Sequence, residues 1–364
     1  MLGWEVFYLV VSRRPPPCLL YSLLTILPGG LSFLSAQYGW AANSVLEYDL
    51  VLPNGTAITA SATSHPDLFL ALKGGGNNFG VVTSFLMRAY PQSQQIWGGT
   101  MSFLHSDETA EKLLSALRAF AADSKDDKAA VILVAVRAPD LELDIWNLYT
   151  FYGGPEPPAD VFDDFVSVGP VADTSATKSY FELMLETREN IINGTVYTMG
   201  TETVPLPEAE HASEVLNAIH DSWRKVGDGV LGSVTGLMTT TAYQPFTKGM
   251  AGIARENGGD ILDIDDDVDR IIVEHNFNHY LPEEHDPVDQ ATVDSYEGVK
   301  KLVERFQEEG KLPDVYLPLF LNDIYFRQDY FGRMRPERRE LAKRVVGEAD
   351  PDGWWGSRTG GVRP

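Results

Sequence analysis

Apolar residues recur along the chain at two spacings, every second position and every third or fourth position, which predict strands and helices respectively. Alternation in residues 44–60 surrounds Pro53-Asn54-Gly55 and predicts a hairpin, because an Asn-Gly pair favours the tight turn between antiparallel strands. Helical spacing predicts helices at 106–122, 208–226, 288–309 and 338–346. Further strands are predicted at 129–137, 143–152, 196–203, 230–241 and 270–277.

The order of these elements indicates the fold class. Helices and strands do not alternate strictly after residue 91, as they would in a parallel α/β fold. The pattern therefore favours an α+β fold with an antiparallel sheet covered on one side by helices. Ser106 is expected to cap the first helix and Gly310 to end the third.

A glycine-rich segment at residues 66–88 predicts a short helix, a loop and a strand. Pro66 suits the first helical position and Gly74 the position just past the helix end. The loop KGGGNNFG either closes a tight structural turn or brings main-chain N–H groups close to a nucleotide. It is not a dinucleotide fingerprint, because it leads from helix to strand and Phe79 stands where the third glycine belongs; the phosphate-binding GxxxxGK[ST] pattern is also missing.

Length and charge narrow the class of protein. The 364 residues suffice for two domains, and the net charge of −23 argues against a duplex nucleic-acid binder, since phosphates would be repelled. Cys18 is the only cysteine, so neither an intramolecular disulfide nor a cysteine metal site is expected.

The N-terminal region leaves the compartment open. The apolar run at residues 18–27 is shorter than the roughly 20 residues that a membrane span needs. A signal peptide is one alternative for this region. Asn54 and Asn193 begin N-glycosylation sequons, which matter only in an exported protein. Both a secreted and a cytoplasmic location remain compatible with the sequence, and no membrane association is expected.

Two patterns suggest metal sites, and for both a structural interpretation is preferred. Alternating aspartates at 263–269 with Glu274 resemble a calcium loop, but Val268 stands at the required glycine and a strand follows. A solvated acidic turn is expected instead. His275 and His279 fall on one face of a strand, and we expect a pocket lining or sheet edge that supplies substrate contacts. No metal is predicted.

The glycine loop and the preceding residues 38–56, YGWAANSVLEYDLVLPNGT, resemble a known family. Their sequence is similar to that of FAD-linked oxidoreductases of the berberine-bridge-enzyme and 6-hydroxynicotine-oxidase type. Such proteins have a vanillyl-alcohol-oxidase, PCMH-type FAD-binding fold. The likeness runs from about Pro28 to Pro364 and is dense in residues 37–90. Tyr243-Gln244-Pro245 resembles the family's TYQP turn, and residues 350–353 its DPxG segment.

The resemblance implies a domain plan. Residues 1–27 are unmatched, 28–91 form the second half of an FAD-binding domain, 92–319 a substrate domain, and 320–364 a C-terminal return to the FAD-binding domain. The family's N-terminal part of the FAD domain, with its pyrophosphate loop and flavin-linked histidine, is not matched. The alternative is therefore a truncated, non-catalytic remnant that does not retain FAD.

The resemblance also implies the chemistry. Such proteins transfer a hydride from a small organic substrate to FAD, usually with oxygen as acceptor, often in secondary metabolism; the substrate itself is not readable. A tyrosine that serves as base in several members is Phe320 here, which cannot accept a proton, so the catalytic residue is unknown. The implied cofactor contacts are Tyr38, Gly39, Asn43, Gly75, Gly76, Gly80, Val81, Val82 and Asn322.

Overall fold

The computed structural model describes residues 26–123, 126–188 and 194–364. The signal-peptide hypothesis, Cys18 and the sequon at Asn193 lie outside these residues. Among the described residues, no helix combines the length and apolar character needed to cross a bilayer.

The secondary structure follows most of the predicted order. The helices are α1 (Ser35–Tyr38), α2 (Pro66–Leu72), α3 (Asp107–Asp123), α4 (Asp163–Ser167), α5 (Tyr180–Arg188), α6 (Ala209–Val230), α7 (Lys248–Glu256), α8 (His285–Glu308) and α9 (Pro336–Ala349). The strands are β1 (Val45–Val51), β2 (Ala57–Ser61), β3 (Val81–Met87), β4 (Ile96–Leu104), β5 (Ala129–Ala138), β6 (Leu143–Tyr152), β7 (Ala172–Asp173), β8 (Ala176–Lys178), β9 (Val196–Pro205), β10 (Met238–Phe246) and β11 (Arg270–His279).

The chain divides into two compact units. Unit 1 contains the residues up to Pro91, Gly249–Asp266 and Pro318–Pro364, and unit 2 contains Gln92–Lys248 and Asp267–Leu317. Residues 249–266, which the sequence pattern grouped with the middle of the chain, thus cluster with unit 1.

Unit 1 contains an antiparallel sheet in the order β2-β1-β3. The predicted hairpin is confirmed, with Val51 opposite Ala57 and Gly55 at φ 83° in the turn. Residues of α2 are buried on one side, and Gly74 follows the helix at φ 100°. The positive φ explains the glycine, because other residues are strained there.

The solvated turn expected for the acidic segment is present only in part: Asp266 and Asp267 are exposed, whereas Asp263 and Asp265 are ion-paired. Asp263 lies 3.2 Å from Arg338 and 3.5 Å from Arg255. Asp265 pairs with Arg335 in a short contact. These arginines lie on α7 and at the start of α9, and together they fasten residues 263–265 to the rest of unit 1.

Unit 2 is built on an eight-stranded antiparallel sheet. Its order is β7-β4-β6-β5-β10-β11-β9, with β8 also paired to β4. One face packs against α3, α6 and α8: Trp223 of α6 donates to Thr239 of β10 at 2.8 Å, and Thr198 of β9 lies 2.7 Å from Thr292 of α8. The predicted α+β class, with helices covering an antiparallel sheet, is confirmed.

Helix ends in unit 2 follow the predicted signals. The Thr109 N–H donates to Ser106 Oγ at 3.0 Å, as expected of a cap, and Gly310 follows α8 at φ 72°. The strand predicted at 230–241 is wrong in its first half, because α6 continues to Val230 and β10 begins at Met238. The apolar residues in between pack on Phe277 instead of pairing as a strand. The sequence pattern does not predict the longer elements β4, α5 and α7 or the short elements α1, α4, β7 and β8.

Candidate functional site

The glycine loop of unit 1 uses its main-chain groups internally. The N–H groups of Gly74 and Gly76 both donate to Leu27 O, at 3.0 and 3.2 Å. Tyr330, which is 1% exposed, donates its hydroxyl to Gly74 O at 2.6 Å. These bonds fix the loop against two distant segments of the chain.

The C-terminal segment holds the same loop from its other side. Trp355 Nε1 donates to Asn77 O at 2.8 Å, and Asn77 Nδ2 donates to Gly360 O at 3.3 Å. Arg363 donates to Asn78 Oδ1 at 2.6 Å. We call Trp355, Gly360 and Arg363 the C-terminal clasp.

Close packing accounts for two of the loop glycines. A Cβ on Gly75 would lie 2.2 Å from Ala71 O, and one on Gly80 would lie 2.5 Å from Val51 O. Neither distance is tolerable, so these positions accept only glycine without a backbone shift. The tight structural turn therefore explains them without a ligand.

The other predicted contact residues lie in neighbouring segments of unit 1. Tyr38 stacks on Tyr90 with ring centroids 3.7 Å apart. Asn43 is buried and accepts from Trp40 N at 3.0 Å. Asn322 Oδ1 accepts from Gly30 N at 3.1 Å.

Contacts join these segments to the loop. Gly76 packs closely against Leu321, the residue before Asn322, since a Cβ on Gly76 would lie 3.2 Å from its side chain. Phe320 stacks on Trp40 with ring centroids 5.1 Å apart. Phe320 is buried, so the residue at the family's tyrosine position packs as core. Val81 and Val82 lie apart on β3, opposite Val51 and Leu50 of β1.

A buried carboxylate, missed in the sequence, links residues 249–266 to this site. Asp260 is 4% exposed and accepts from Asn43 Nδ2 at 3.1 Å and from the N–H groups of Leu262 and Asp263 at 3.0 and 3.1 Å. Burial raises the pKa of Asp260, and its hydrogen bonds oppose that shift. Burial also lowers the pKa of Lys73, which the charge of Asp260 partly offsets. Only the acidic run around Asp260 signalled this group in the sequence.

Unit 2 carries a different polar site on the sheet face opposite α3, α6 and α8. Glu274 of β11 is fully buried. Its two oxygens accept from side-chain amides, Oε2 from Gln244 Nε2 at 2.9 Å and Oε1 from Asn276 Nδ2 at 2.8 Å. Asn276 also donates to Thr240 Oγ1 at 3.1 Å. We call Glu274, Gln244, Asn276, Thr240 and Asn278 the polar row.

The strand register places this row on one face. Glu274, Asn276 and Asn278 alternate along β11, and residues opposite one another in paired strands point to the same side. The amides bonded to both Glu274 oxygens match the ionised carboxylate, which only accepts hydrogen bonds. Sequence reasoning weighed Glu274 only as a calcium-loop position; a charged residue inside the apolar run IIVEHNF was the available signal.

The histidines of the same strand point the other way. His275 is opposite Gly200 of β9, whose α-carbon faces Tyr296 of α8, so His275 lies under the helices. Burial lowers the pKa of His275 to about 3. The expected sheet edge is wrong, because β11 pairs with a strand on each side.

His279 lies on that same covered face. Its Nδ1 is 3.0 Å from Leu281 O and its Nε2 is 3.4 Å from His285 Nδ1. Across the part of the chain that the structure describes, no group of three or more His, Cys, Asp or Glu is placed to hold a metal ion.

The family-like Tyr243-Gln244-Pro245 lies inside β10, so the expected turn is wrong. Tyr243 is part of the core under the helices, and Gln244 reaches Glu274 on the opposite face. Strand alternation therefore divides this tripeptide between packing and the polar row.

Comparison with known proteins identifies the family. No protein-family model matches the chain. An uncharacterized FAD-linked oxidoreductase of Arthroderma benhamiae is 38% identical over 339 residues, which are 93% of this chain and 67% of that protein. The chain spans 46% and 63% of the next two curated relatives.

Solved structures share the fold. The 6-hydroxy-D-nicotine oxidase of Arthrobacter nicotinovorans superposes with a TM-score of 0.65 at 20% identity, over 91% of this chain and 68% of that one. Berberine bridge enzyme of Eschscholzia californica gives 0.67 at 15% identity, over 90% and 67%. The predicted resemblance is confirmed: the chain shares the fold of these two enzymes, and by its likeness to the Arthroderma protein it belongs to the FAD-linked oxidoreductases.

Proposed function

We propose that this chain oxidises a small organic molecule, with FAD as cofactor and oxygen as the final acceptor. FAD, when bound, supplies hydride acceptance from a substrate C–H bond, which no protein side chain provides. Family membership supports the cofactor. The buried, amide-bonded carboxylate of Glu274 carries the proposal for this chain's own chemistry.

The residues of unit 1 fit the ring of a flavin better than its diphosphate. Gly76, at φ 67°, has no side chain of its own and keeps partial exposure, whereas Gly39, at φ 76°, is buried beneath Asn43 and Ile253. A planar ring can lie close to such backbone. The Gly74 and Gly76 N–H groups already donate to Leu27, and Lys73, the cation that begins the loop, is buried with its Nζ 3.4 Å from Asn257 O. We expect Tyr38, Gly76 and Asn322 to lie against the flavin ring, and Gly39 and Asn43, which are buried, to support them from behind.

The remaining predicted contacts form the support of that surface. Gly75 and Gly80 pack against protein atoms, and Val81 and Val82 pair with β1. We expect them to keep the loop in place and to touch the cofactor only through main-chain atoms.

Glu274 is proposed to take the substrate's proton. When an alcohol becomes a carbonyl, the C–H hydrogen leaves with its electron pair and the O–H hydrogen leaves as a proton. Phe320 has no group to accept that proton, whereas the Glu274 carboxylate has. Gln244 and Asn276 hold the carboxylate in one orientation through its two oxygens.

The test is reduction of the flavin by substrate without oxygen. The full chain with FAD is mixed with a panel of alcohols, sugars and alkaloid amines, and blue absorbance is followed. We expect at least one compound to bleach the flavin and oxygen to restore it with formation of hydrogen peroxide. Restoration only by another electron acceptor would contradict the oxygen assignment, and no bleaching by any compound would contradict the oxidation.

A further inference from the structure

The polar row of unit 2 has acceptors that the protein does not use. Asn276 is 1% exposed, and its Nδ2 donates to Glu274 and Thr240, which fixes Oδ1 as the other end of the amide. Asn276 Oδ1 finds no hydrogen-bond partner within the described residues, and neither does Asn278 Oδ1. A buried acceptor without a hydrogen-bond partner destabilises the folded protein, and a ligand that donates to it removes that penalty.

Asn276 and Asn278 follow Glu274 at every second position of β11 and therefore lie on the same face of the sheet. Residues two apart on a strand lie about 6.7 Å from one another on the same face. The row therefore presents Glu274, Asn276 and Asn278 as successive hydrogen-bond acceptors along β11.

The Asn278 end of the row reaches the surface. Tyr197 of β9 is directly opposite Asn278 and so lies on the same face, and its exposed fraction is 37%. Asn278 itself is 5% exposed and Glu274 is fully buried. The row thus runs inward from a solvent-exposed tyrosine to the carboxylate.

Resting on the proposed function, we propose that the polar row binds a neutral small molecule through at least two of its hydroxyl groups, which donate to Asn276 and Asn278. Acceptor oxygens select donors, and a carboxylate in the same row repels an anionic ligand. The hydroxyl nearest Glu274 is the one positioned to lose its proton.

The chain offers a matched control on the same face. Asn147 of β6 alternates with core residues Trp146 and Leu148, and its Oδ1 accepts from Ser102 at 2.8 Å. It is the same residue type in the same sheet, with its oxygen satisfied by the protein.

The test measures binding by titration calorimetry, using cellobiose, methyl glucoside and catechol as neutral probes and gluconate as the anionic probe. We expect a neutral probe to bind the full chain, N278L to raise its Kd about tenfold, and N147L to leave Kd unchanged. In the ligand-free protein, N278L is expected to raise the unfolding midpoint and N147L to lower it, because only N147L breaks a hydrogen bond.

Three results would overturn the proposal: no neutral probe binds, gluconate binds as tightly as cellobiose, or N278L and N147L weaken binding equally. If N278L does not fold, N278A replaces it under the same criteria. Flavin content is read separately from the absorption spectrum. A colourless protein that binds the neutral probes would contradict the proposed oxidation and leave this inference standing.

Discussion

The glycine loop of unit 1 and the polar row of unit 2 differ in how their polar groups are used. In the loop, Gly74 and Gly76 donate to Leu27, Gly74 also accepts from Tyr330, and Asn78 accepts from the C-terminal clasp. In the row, two buried amide oxygens find no partner in the described protein. A satisfied network rigidifies a fold, whereas an unsatisfied buried group calls for an explanation, of which a bound ligand is one. We interpret the loop as a scaffold and propose the row as the place where a substrate is recognised.

The largest expected effect tests the row. E274Q keeps the shape of the side chain but removes the proton acceptor, so we expect kcat/KM to fall about 10²–10⁴-fold while flavin absorbance is unchanged. Steady-state oxygen consumption measures this. E108Q, an exposed carboxylate on α3, serves as control and should keep its activity. Full activity of E274Q would show that Glu274 does not accept the substrate's proton and would contradict the catalytic role of the polar row.

The next effect tests the scaffold. D260A leaves three hydrogen-bond donors without their acceptor and the buried Lys73 without a nearby negative charge, so we expect a loss of about 3–5 kcal/mol in the free energy of unfolding. Chemical denaturation of the full chain measures it. D67A, which breaks an exposed pair with Arg344, should cost less than about 1 kcal/mol. Equal losses would show that the buried network is not what holds unit 1.

A smaller effect comes from the buried histidines of unit 2. Burial lowers the pKa of both His220 and His275 to about 3 in the folded protein, against about 6.5 when unfolded. The unfolded state thus binds more protons between these values, so stability is full above pH 6.5 and is lost as pH falls towards 3. Each histidine therefore lowers the free energy of unfolding by about 2 kcal/mol at pH 5 relative to pH 7.

Variants separate the two contributions. H220Q and H275Q should each lessen the loss of unfolding free energy between pH 7 and pH 5 by about 2 kcal/mol, measured by denaturation at both values. A pH dependence unchanged in both variants would contradict the assignment of this loss to the core under the helices.

The smallest effect tests the clasp. W355F keeps the aromatic ring but loses the donor to Asn77 O, so we expect about 1 kcal/mol of destabilisation and faster amide exchange in residues 74–80. Hydrogen exchange with mass spectrometry resolves this segment. W354F, at a half-exposed neighbouring position, should leave exchange in the loop unchanged. Equal amide exchange in both variants would show that the C-terminal clasp does not stabilise the glycine loop.

Strongly patterned elements could be predicted from the sequence, and long-range contacts could not. The hairpin around Asn54-Gly55, α2 and α3 with its Ser106 cap depend on local spacing and turn chemistry. The strand predicted at residues 230–237 is wrong because apolar side chains occur both in strands and in turns that pack against the core, and here they belong to such a turn. Local signals determine local structure, so such errors fall where tertiary packing decides.

For the same reason, the glycine loop could be predicted from the sequence and the polar row could not. The glycine loop is contiguous, so its residues and its family likeness stand out in the sequence. Glu274, Gln244 and Asn276 come together only through strand pairing, and Asp260 reaches Asn43 from 217 residues away. A site assembled across strands leaves no contiguous signal, which is why Glu274 was first weighed as a calcium ligand.

The absorption spectrum of the purified full chain, recorded before and after incubation with FAD and removal of unbound cofactor, tests the central claim most directly. We expect flavin bands in the near-ultraviolet and blue that stay with the protein. A folded, colourless protein after this treatment would contradict the claim that the chain works as an FAD-dependent oxidoreductase.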